Sequence, residues 1–176
     1  MISKIFHISD IHIRLYQRHK EYEQVFERLF NYIEKNKDEN SVIFLGGDIV
    51  HSKTEISTEL VYLTSKFLKD CADILPTILI AGNHDANLKN SHRLDILTPI
   101  TFYLNHPNLY YWRNSGEYEF NGVSFSVFSV FDNNWVPAKD LKGKYKIALY
   151  HGPIWESKTD TVTIESNTKI DIFNGF

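Results

Sequence analysis

The chain is poor in cysteine and in long apolar runs. Cys71 is the single cysteine among 176 residues, which excludes an internal disulfide and a metal site built from several thiolates. Its place in a helical pattern predicts a small core residue. No apolar stretch approaches the ~20 residues of a membrane-spanning helix, and no signal peptide precedes Ile5. We therefore expect a cytoplasmic protein of a reducing compartment and not a secreted one.

The chain also lacks a surplus of positive charge. Its formal net charge is −3 and its sequence pI is about 6.2. Proteins that bind nucleic acid usually carry a basic surplus or patch, so the composition alone does not point to a polyanionic partner. Hydrophobic residues make up 43% and aromatic residues 14% of the chain, which predicts a packed globule. The length favours one domain over 1–176.

The first part of the chain alternates strand and helix patterns. Continuous apolar runs predict three strands, at 4–9, 41–45 and 77–81. Apolar residues with helical spacing predict three helices, at 19–36, 58–74 and 92–105. Ser57 is the expected N-cap of the second helix, and the third helix is interrupted or restarted at Pro99.

The remaining part is rich in strand patterns. Four strands are predicted, at 110–113, 117–120, 123–130 and 146–150. Asn121-Gly122 between two of them indicates a β-hairpin with a two-residue turn, and apolar residues alternate with serines along its outgoing strand. The order βαβαβα followed by ββββ predicts a layered α/β domain whose later strands extend the first sheet or form a second one.

Four polar motifs each follow a predicted strand. They are Asp10-Ile11-His12, Gly46-Gly47-Asp48, Gly82-Asn83-His84-Asp85 and His151-Gly152. In open α/β sheets, ligands bind where the carboxyl ends of the strands meet, so we expect the motifs to converge. Carboxylate, imidazole and amide groups are the ligand set of a two-metal site for in-line attack on a phosphoester.

Three of these motifs are weak evidence when taken singly. Asp10 and His12 lie two residues apart, which in an extended segment places both side chains on one side, but Asp-x-His is also common in loops. The carboxylate of Asp48 has two oxygens and can bridge two ions. His151 follows a strand, where a histidine is as often packed as metal-bound.

The Gly-Asn-His-Asp motif is more specific. The side-chain oxygen of Asn83 is a neutral ligand for a hard ion. His84, when protonated, can donate to a developing negative oxygen or to a leaving group. Asp85 would orient and charge that imidazole. The alternative is a capped turn before a helix. His51 either meets the same phosphate or is a surface histidine.

As a set, these motifs resemble the signature of the calcineurin-like metallophosphoesterase superfamily, and the match covers nearly the whole chain. The resemblance implies an αββα sandwich, in which central mixed β-sheets are flanked by helices. It also implies two divalent metal ions. Asp10 and His12 would hold the first ion, Asp48 would bridge both, and Asn83 and His151 would hold the second.

Within the superfamily, the chain looks most like the DNA double-strand-break repair nucleases of the SbcD and meiotic-recombination-eleven type. The likeness rests on the opening His-Ile-Ser-Asp-Ile-His, on Gly-Asp-Ile-Val-His-Ser with His51, and on a long helix after the first motif. It implies an exonuclease or endonuclease of DNA repair or recombination, located wherever the DNA is. His84 and His51 would act at the scissile phosphate, with Mn²⁺ as the favoured ion and Fe²⁺ or Zn²⁺ as alternatives.

The resemblance also implies partners. The branch forms homodimers through a region that matches 58–74 and 91–105, and exposed Tyr62 and Phe102 would suit such an interface. An SMC-like ATPase of the SbcC type would bind a further segment. Contacts with DNA phosphates would come from three basic residues, Arg14, Arg18 and Lys20. The same residues are equally compatible with solvated side chains at the start of a helix.

One departure from the family pattern leaves alternatives open. The last motif of the family supplies two further histidines, and nothing after His151 provides them. We therefore expect a C-terminally incomplete domain that by itself is weak or inactive. A phosphatase or small-molecule phosphodiesterase would use the same site. A protein-binding scaffold that has lost its metal chemistry is the remaining alternative.

Overall fold

The computed structural model of the protein describes residues 1–90, 93–155, 157 and 166–176. The chain divides into two compact units, Met1–Arg113 and Asn114–Phe176, and each is considered by itself. A single domain over the whole length therefore stays a prediction. Within the described residues, every helix is too short or too polar to cross a membrane.

The first unit is built on a parallel sheet of four strands in the order β1-β2-β3-β4. The strands are β1 (Lys4–Ile8), β2 (Ser41–Leu45), β3 (Thr77–Leu79) and β4 (Leu109–Tyr111). All five residues of β2 are buried, as expected for an apolar strand in the interior of a parallel sheet. Because all four strands run in one direction, their carboxyl ends share one edge.

Three helices belong to this unit: α1 (His19–Asn36), α2 (Thr58–Ile74) and α3 (Leu97–Leu104). The bounds of α1 and α2 are those predicted, and the Ser57 hydroxyl accepts a hydrogen bond from the Leu60 N–H at 3.1 Å, which confirms the N-cap. α3 begins later than predicted because the Asp95 carboxylate accepts from the Thr98 N–H at 2.8 Å and caps the helix there. Pro99 then lies in the first turn, where its missing N–H costs nothing.

Aromatic side chains join α1 to α2. The rings of Phe26 and Phe67 lie 4.4 Å apart between centroids, and Phe30 lies 5.9 Å from Phe67. Phe67 is 1% exposed. Such aromatic pairs contribute beyond the apolar area that they bury, so this contact stabilises the packing of the two helices.

The second unit contains a three-stranded mixed sheet in the order β5-β6-β7. Its strands are β5 (Gly116–Phe120), β6 (Val123–Phe128) and β7 (Lys146–Tyr150). β5 and β6 form the predicted antiparallel hairpin, with positive φ at Asn121 and Gly122, as a type I′ turn requires. β7 pairs with β6 in parallel. Short 3-10 turns follow at Ala138–Asp140 and Ile170–Phe173.

β6 is buried on both faces. Apolar and serine residues alternate along the strand, and all six of its residues are buried. The serine face is covered by the segment that follows the strand. The Ser126 hydroxyl donates to the Val136 carbonyl at 2.6 Å, and Gly143 approaches Ser124 so closely that an added Cβ would overlap its side chain.

The mixed α/β architecture, with two sheets and flanking helices, confirms the predicted fold class. The first sheet is parallel throughout, and only the second sheet is mixed.

The aromatic contact between α1 and α2 yields a stability prediction. Phe67→Ala should lower the free energy of unfolding by about 3–5 kcal/mol, because it leaves a cavity in the core. Glu27→Ala, at an exposed position of α1, is the control and should change it by less than about 0.5 kcal/mol. Urea denaturation of both variants measures the difference, and equal stabilities would contradict the role of this contact.

Candidate metal centre

Two glycines bring the loops after β2 and β3 together. Gly47 has a φ of +93°, and a Cβ added there would lie 2.6 Å from the backbone nitrogen of Gly82. A Cβ at Gly82 would in turn overlap the carboxylate of Asp48. Side chains at either position would push the loops apart, so the absence of a Cβ allows the second and third motifs to touch.

Two buried carboxylates then cross-link the same loops. Asp85 accepts hydrogen bonds from the Gly82 N–H at 2.8 Å and from the Val50 N–H at 3.0 Å, one to each oxygen. Asp48 accepts from the His84 N–H at 2.7 Å. Burial raises the pKa of Asp85 to about 7, and the charge of Asp48 acts in the same direction, whereas the backbone donors oppose the shift. Each loop is therefore positioned by the carboxylate of the other.

The first motif adopts a conformation that differs from the one expected. Asp10 and His12 have φ values of 56° and 53°, so this segment is left-handed at both residues and not extended. Their N–H groups donate to the carbonyls of Gly47 at 3.1 Å and Asp48 at 3.0 Å, which attaches the motif to the loop after β2. The two side chains still approach each other, with His12 Nε2 3.9 Å from Asp10 Oδ1.

Backbone strain is concentrated at the predicted metal ligands. Asp48 also has a positive φ, of 53°, so it shares this conformation with Asp10 and His12. A non-glycine residue in such a conformation costs about 1–3 kcal/mol, and persists where the surroundings over-determine it. Here the hydrogen bonds between the loops hold the three residues in this conformation. Strain of this kind is typical of functional sites.

The imidazole of His12 lies among carboxylates. Its Nε2 is 3.5 Å from Asp48 Oδ2, and carboxylate oxygens of Asp10 and Asp48 lie within 4.8 Å of one another. Burial lowers the pKa of His12, the two carboxylates oppose this shift, and the nearby imidazoles of His84 and His51 reinforce it. A lowered pKa favours the neutral imidazole, which is the form that binds a metal ion.

Three imidazoles meet beside these carboxylates. Ring nitrogens of His12, His51 and His84 lie within 4.8 Å of one another. The ring centroids are 4.8 Å apart for His12 and His84, and 5.7 Å apart for His51 and His84. His51 is exposed, and the other two are partly buried. The structure thus brings both predicted catalytic histidines to the predicted metal ligands of the first unit.

The orientation of His84 corrects the role expected for Asp85. The Nδ1–H of His84 donates to the backbone carbonyl of His51 at 2.8 Å, which leaves Nε2 available to a ligand. Asp85 does not orient the ring, because both of its oxygens accept from backbone N–H groups. It positions the loop that carries His84.

Two further supports were not predicted. The Ser9 hydroxyl donates to the Asp10 carboxylate at 2.5 Å, and the Tyr22 hydroxyl donates to the His12 carbonyl at 2.6 Å. Ser9 adjoins its partner, so a search for hydroxyl groups beside the motif would have found it. No local pattern signals the contact of Tyr22, which depends on how α1 packs.

Asn83 and His151 complete the predicted ligand set. Asn83 is partly buried in the loop after β3, between Gly82 and His84. His151 directly follows β7 in the second unit, so its place in a metal site stays a prediction. Clustered carboxylate oxygens and imidazole nitrogens suit divalent ions such as Mn²⁺, Fe²⁺ or Zn²⁺. The donor chemistry therefore fits a divalent metal centre.

The predicted DNA-contact residues differ in their surroundings. Arg18 pairs with Glu21, with Nε 2.8 Å from the carboxylate, and Lys20 is exposed on α1. Arg14 borders a cavity that also includes His51 and His84. Of these three cations, the structure brings Arg14 to the imidazoles.

Comparison with known proteins agrees with this geometry. Residues 3–175 match the model of the calcineurin-like phosphoesterase family, whose chemistry is metal-dependent phosphoester hydrolysis. The chain is also 46% identical over 173 residues to the uncharacterized protein R555 of Acanthamoeba polyphaga mimivirus. That alignment covers 90% of this chain and 13% of the length of the relative. Because the family model spans nearly the whole sequence, the chain belongs to the calcineurin-like phosphoesterase family.

Proposed function

We propose that the protein is a metal-dependent phosphodiesterase that cleaves DNA, as an exonuclease or endonuclease in repair or recombination. The observation that carries the proposal is the group of three imidazoles beside the carboxylates of Asp10 and Asp48. Metal binding accounts for His12, whereas His84 and the exposed His51 provide two further donors for a phosphate. The resemblance of the Gly-Asp-Ile-Val-His-Ser segment to the repair nucleases supports DNA as the substrate.

The metal ions would be held by the strand-end motifs. Asp10, His12, Asp48, Asn83 and His151 are the proposed ligands, and the resemblance favours Mn²⁺. Two bound divalent ions would supply an activated water and would neutralise charge on the phosphate oxygens. The lowered pKa of His12 suits this assignment, because a protonated imidazole cannot bind a metal.

His84 and His51 act on the phosphate directly in this proposal. The bond from His84 Nδ1 to the His51 carbonyl fixes the ring and leaves Nε2 as its free nitrogen. When protonated, that nitrogen donates to a phosphate oxygen or gives its proton to the leaving oxygen. The exposed ring of His51 stacks beside that of His84 at 5.7 Å and holds the diester in place.

We also propose that the protein forms a homodimer and works with an SMC-like ATPase. Tyr62 on α2 is 66% exposed and Phe102 on α3 is 74% exposed, as the interface would require. Large exposed apolar side chains on adjacent elements are typical of protein contacts.

A second candidate is a phosphatase or small-molecule phosphodiesterase of the same family. The net charge of −3 favours it, because no charge surplus attracts a polymer. The pairing of Arg18 with Glu21 removes one cation from the proposed DNA contacts. A non-catalytic scaffold would not explain the positive φ values of three proposed ligands.

Degradation of DNA tests the proposed function. The complete gene product should release nucleotides from end-labelled linear duplex DNA with Mn²⁺, and a chelator should abolish the release. Hydrolysis of bis(p-nitrophenyl) phosphate without DNA cleavage would instead support the small-substrate enzyme. Inactivity on both substrates would support the scaffold.

Substitution of His84 separates catalysis from metal binding. In the complete gene product, His84→Ala should lower cleavage by about 10²–10⁴-fold, the usual contribution of a proton donor, while the bound metal content stays unchanged. His106→Ala is the matched control, since His106 pairs with Asp73 away from the motifs. Elemental analysis and cleavage rates provide the measurements, and normal cleavage by His84→Ala would remove it from the mechanism.

A negative charge at position 102 on α3 tests the proposed homodimer. Phe102→Glu should convert a dimer of the complete gene product to a monomer, because a buried carboxylate would lose its hydration. Val25→Glu, at an exposed apolar position of α1, is the control and should leave the dimer intact. Sedimentation velocity distinguishes the two states. A monomeric wild-type protein would refute the homodimer itself.

A further inference from the structure

A cavity of about 460 Å³ opens beside the imidazoles of His51 and His84. Two loops form its other walls, 14–17 after the first motif and 51–55 after the second. Its volume lies within the range of about 300–1,000 Å³ that is typical of ligand sites. A phosphate held by the two imidazoles would therefore extend its flanking groups into this space.

The 14–17 loop is held in place by its carbonyls. The Arg14 carbonyl accepts from His19 Nε2 at 2.6 Å, and the Leu15 carbonyl accepts from the Ser57 hydroxyl, which also caps α2. The preceding Ile13 is fully buried and its N–H donates to the Ile49 carbonyl at 2.9 Å. The side chains of this loop therefore project from a fixed backbone, which reduces the entropy lost on binding.

Arg14 lies near a tyrosine that contacts the metal-ligand loop. Its guanidinium lies close enough to the Tyr22 hydroxyl for its charge to oppose the effect of burial, which raises the pKa of that phenol, and the same hydroxyl donates to the His12 carbonyl at 2.6 Å. Among the described residues, Arg14 forms no ion pair with a carboxylate, whereas Arg18 is paired with Glu21. Within the described part of the chain, Arg14 thus offers a cation that no carboxylate pairs with, beside the two imidazoles.

The other groups around the cavity suit a nucleotide. Lys53 adds a second cation on the facing loop, and Glu55 is the one carboxylate in the described lining. Tyr16 is 69% exposed and borders the same space. Arginine binds phosphate with two parallel hydrogen bonds, and exposed aromatic rings stack on unpaired bases.

We propose that this cavity holds the nucleotide next to the scissile phosphate of an unpaired DNA strand. Arg14 and Lys53 bind the neighbouring phosphate, and Tyr16 stacks on the base. Stacking requires a base that has left the duplex, so the cavity selects single-stranded or frayed ends. Arg14 is then the specificity residue that favours a polynucleotide over an isolated diester. The inference rests on the proposed function.

Selectivity between two substrates tests the cavity. The complete gene product with Mn²⁺ is given a single-stranded oligonucleotide and bis(p-nitrophenyl) phosphate, and the ratio of the two kcat/KM values is measured. Arg14→Ala should lower this ratio by about 10–100-fold, as expected for loss of a charged phosphate contact. Arg28→Ala, an exposed cation of α1 outside the cavity, is the matched control and should leave it unchanged.

The same ratio tests the stacking role of Tyr16. Tyr16→Ala should lower it by about tenfold, within the range measured for stacked bases, whereas Tyr16→Phe should retain it. Loss in both variants would assign the hydroxyl, and not the ring, to the contact and would overturn stacking. An equal loss on blunt duplex DNA and on the single strand would overturn the preference for unpaired DNA.

Binding without catalysis provides an independent measurement. Affinity for the oligonucleotide is followed by fluorescence anisotropy over a salt series in a chelator. In Arg14→Ala the slope of log K against log salt should fall by about 0.7 in magnitude, the value for one phosphate contact on a single strand. Tyr16→Ala should keep the slope. Unchanged slope and affinity in Arg14→Ala would overturn the proposed cavity.

These measurements separate the inference from the function on which it rests. If the wild-type protein hydrolyses the small diester but not the oligonucleotide, the nuclease function fails, and the anisotropy series alone then decides the cavity. If the wild-type protein cleaves the oligonucleotide and Arg14→Ala leaves the ratio intact, the nuclease function stands and the role of Arg14 is refuted.

Discussion

The site depends on carboxylates that accept hydrogen bonds from the backbone of a neighbouring loop. Asp85 accepts from Val50, 35 residues away, and Asp48 accepts from the N–H of His84, 36 residues away. Gly47 and Gly82 permit this contact because neither carries a Cβ. If the loops separated, His84 would lose both its backbone anchor and the carbonyl that orients its ring. Ligand placement therefore depends on two acids, of which Asp85 is not a proposed metal ligand and Asp48 is one.

The same interaction accounts for the strained ligands. Asp10, His12 and Asp48 adopt left-handed backbone conformations that a free loop would avoid. Hydrogen bonds from the first motif to the carbonyls of Gly47 and Asp48 hold them there. These strained conformations direct the carboxylate and imidazole side chains toward one point. Part of the folding free energy thus offsets the cost of this arrangement. Without a ligand, the clustered groups repel one another or lose hydration.

Overall charge and local charge differ in this protein. The chain is acidic, with a net charge of −3, yet the described lining of the cavity beside His84 contains Arg14, Lys53 and a single carboxylate, Glu55. A net charge averages over the surface, whereas a phosphate responds to groups within a Debye length of about 8–10 Å. An acidic composition is therefore compatible with a locally cationic binding surface.

Much of the fold was predictable because its signals are local. Apolar spacing determined α1 and α2 to the residue, Ser57 signalled a cap, and Asn121-Gly122 signalled a hairpin. The motifs themselves also followed from the sequence, because parallel strands must end at a common edge. Periodicity and turn chemistry involve residues a few positions apart, and the sequence alone therefore specifies them.

Contacts between distant residues decided the rest. The later start of α3 follows from the capping bond of Asp95, and the complete burial of β6 follows from the segment that covers its serines. The His51 carbonyl, and not Asp85, orients the ring of His84, and this requires two loops in contact. The sequence by itself determined which chemical groups this protein carries and on which strand ends. Only the tertiary structure decided how they are oriented, because orientation depends on hydrogen bonds that span more than 30 residues.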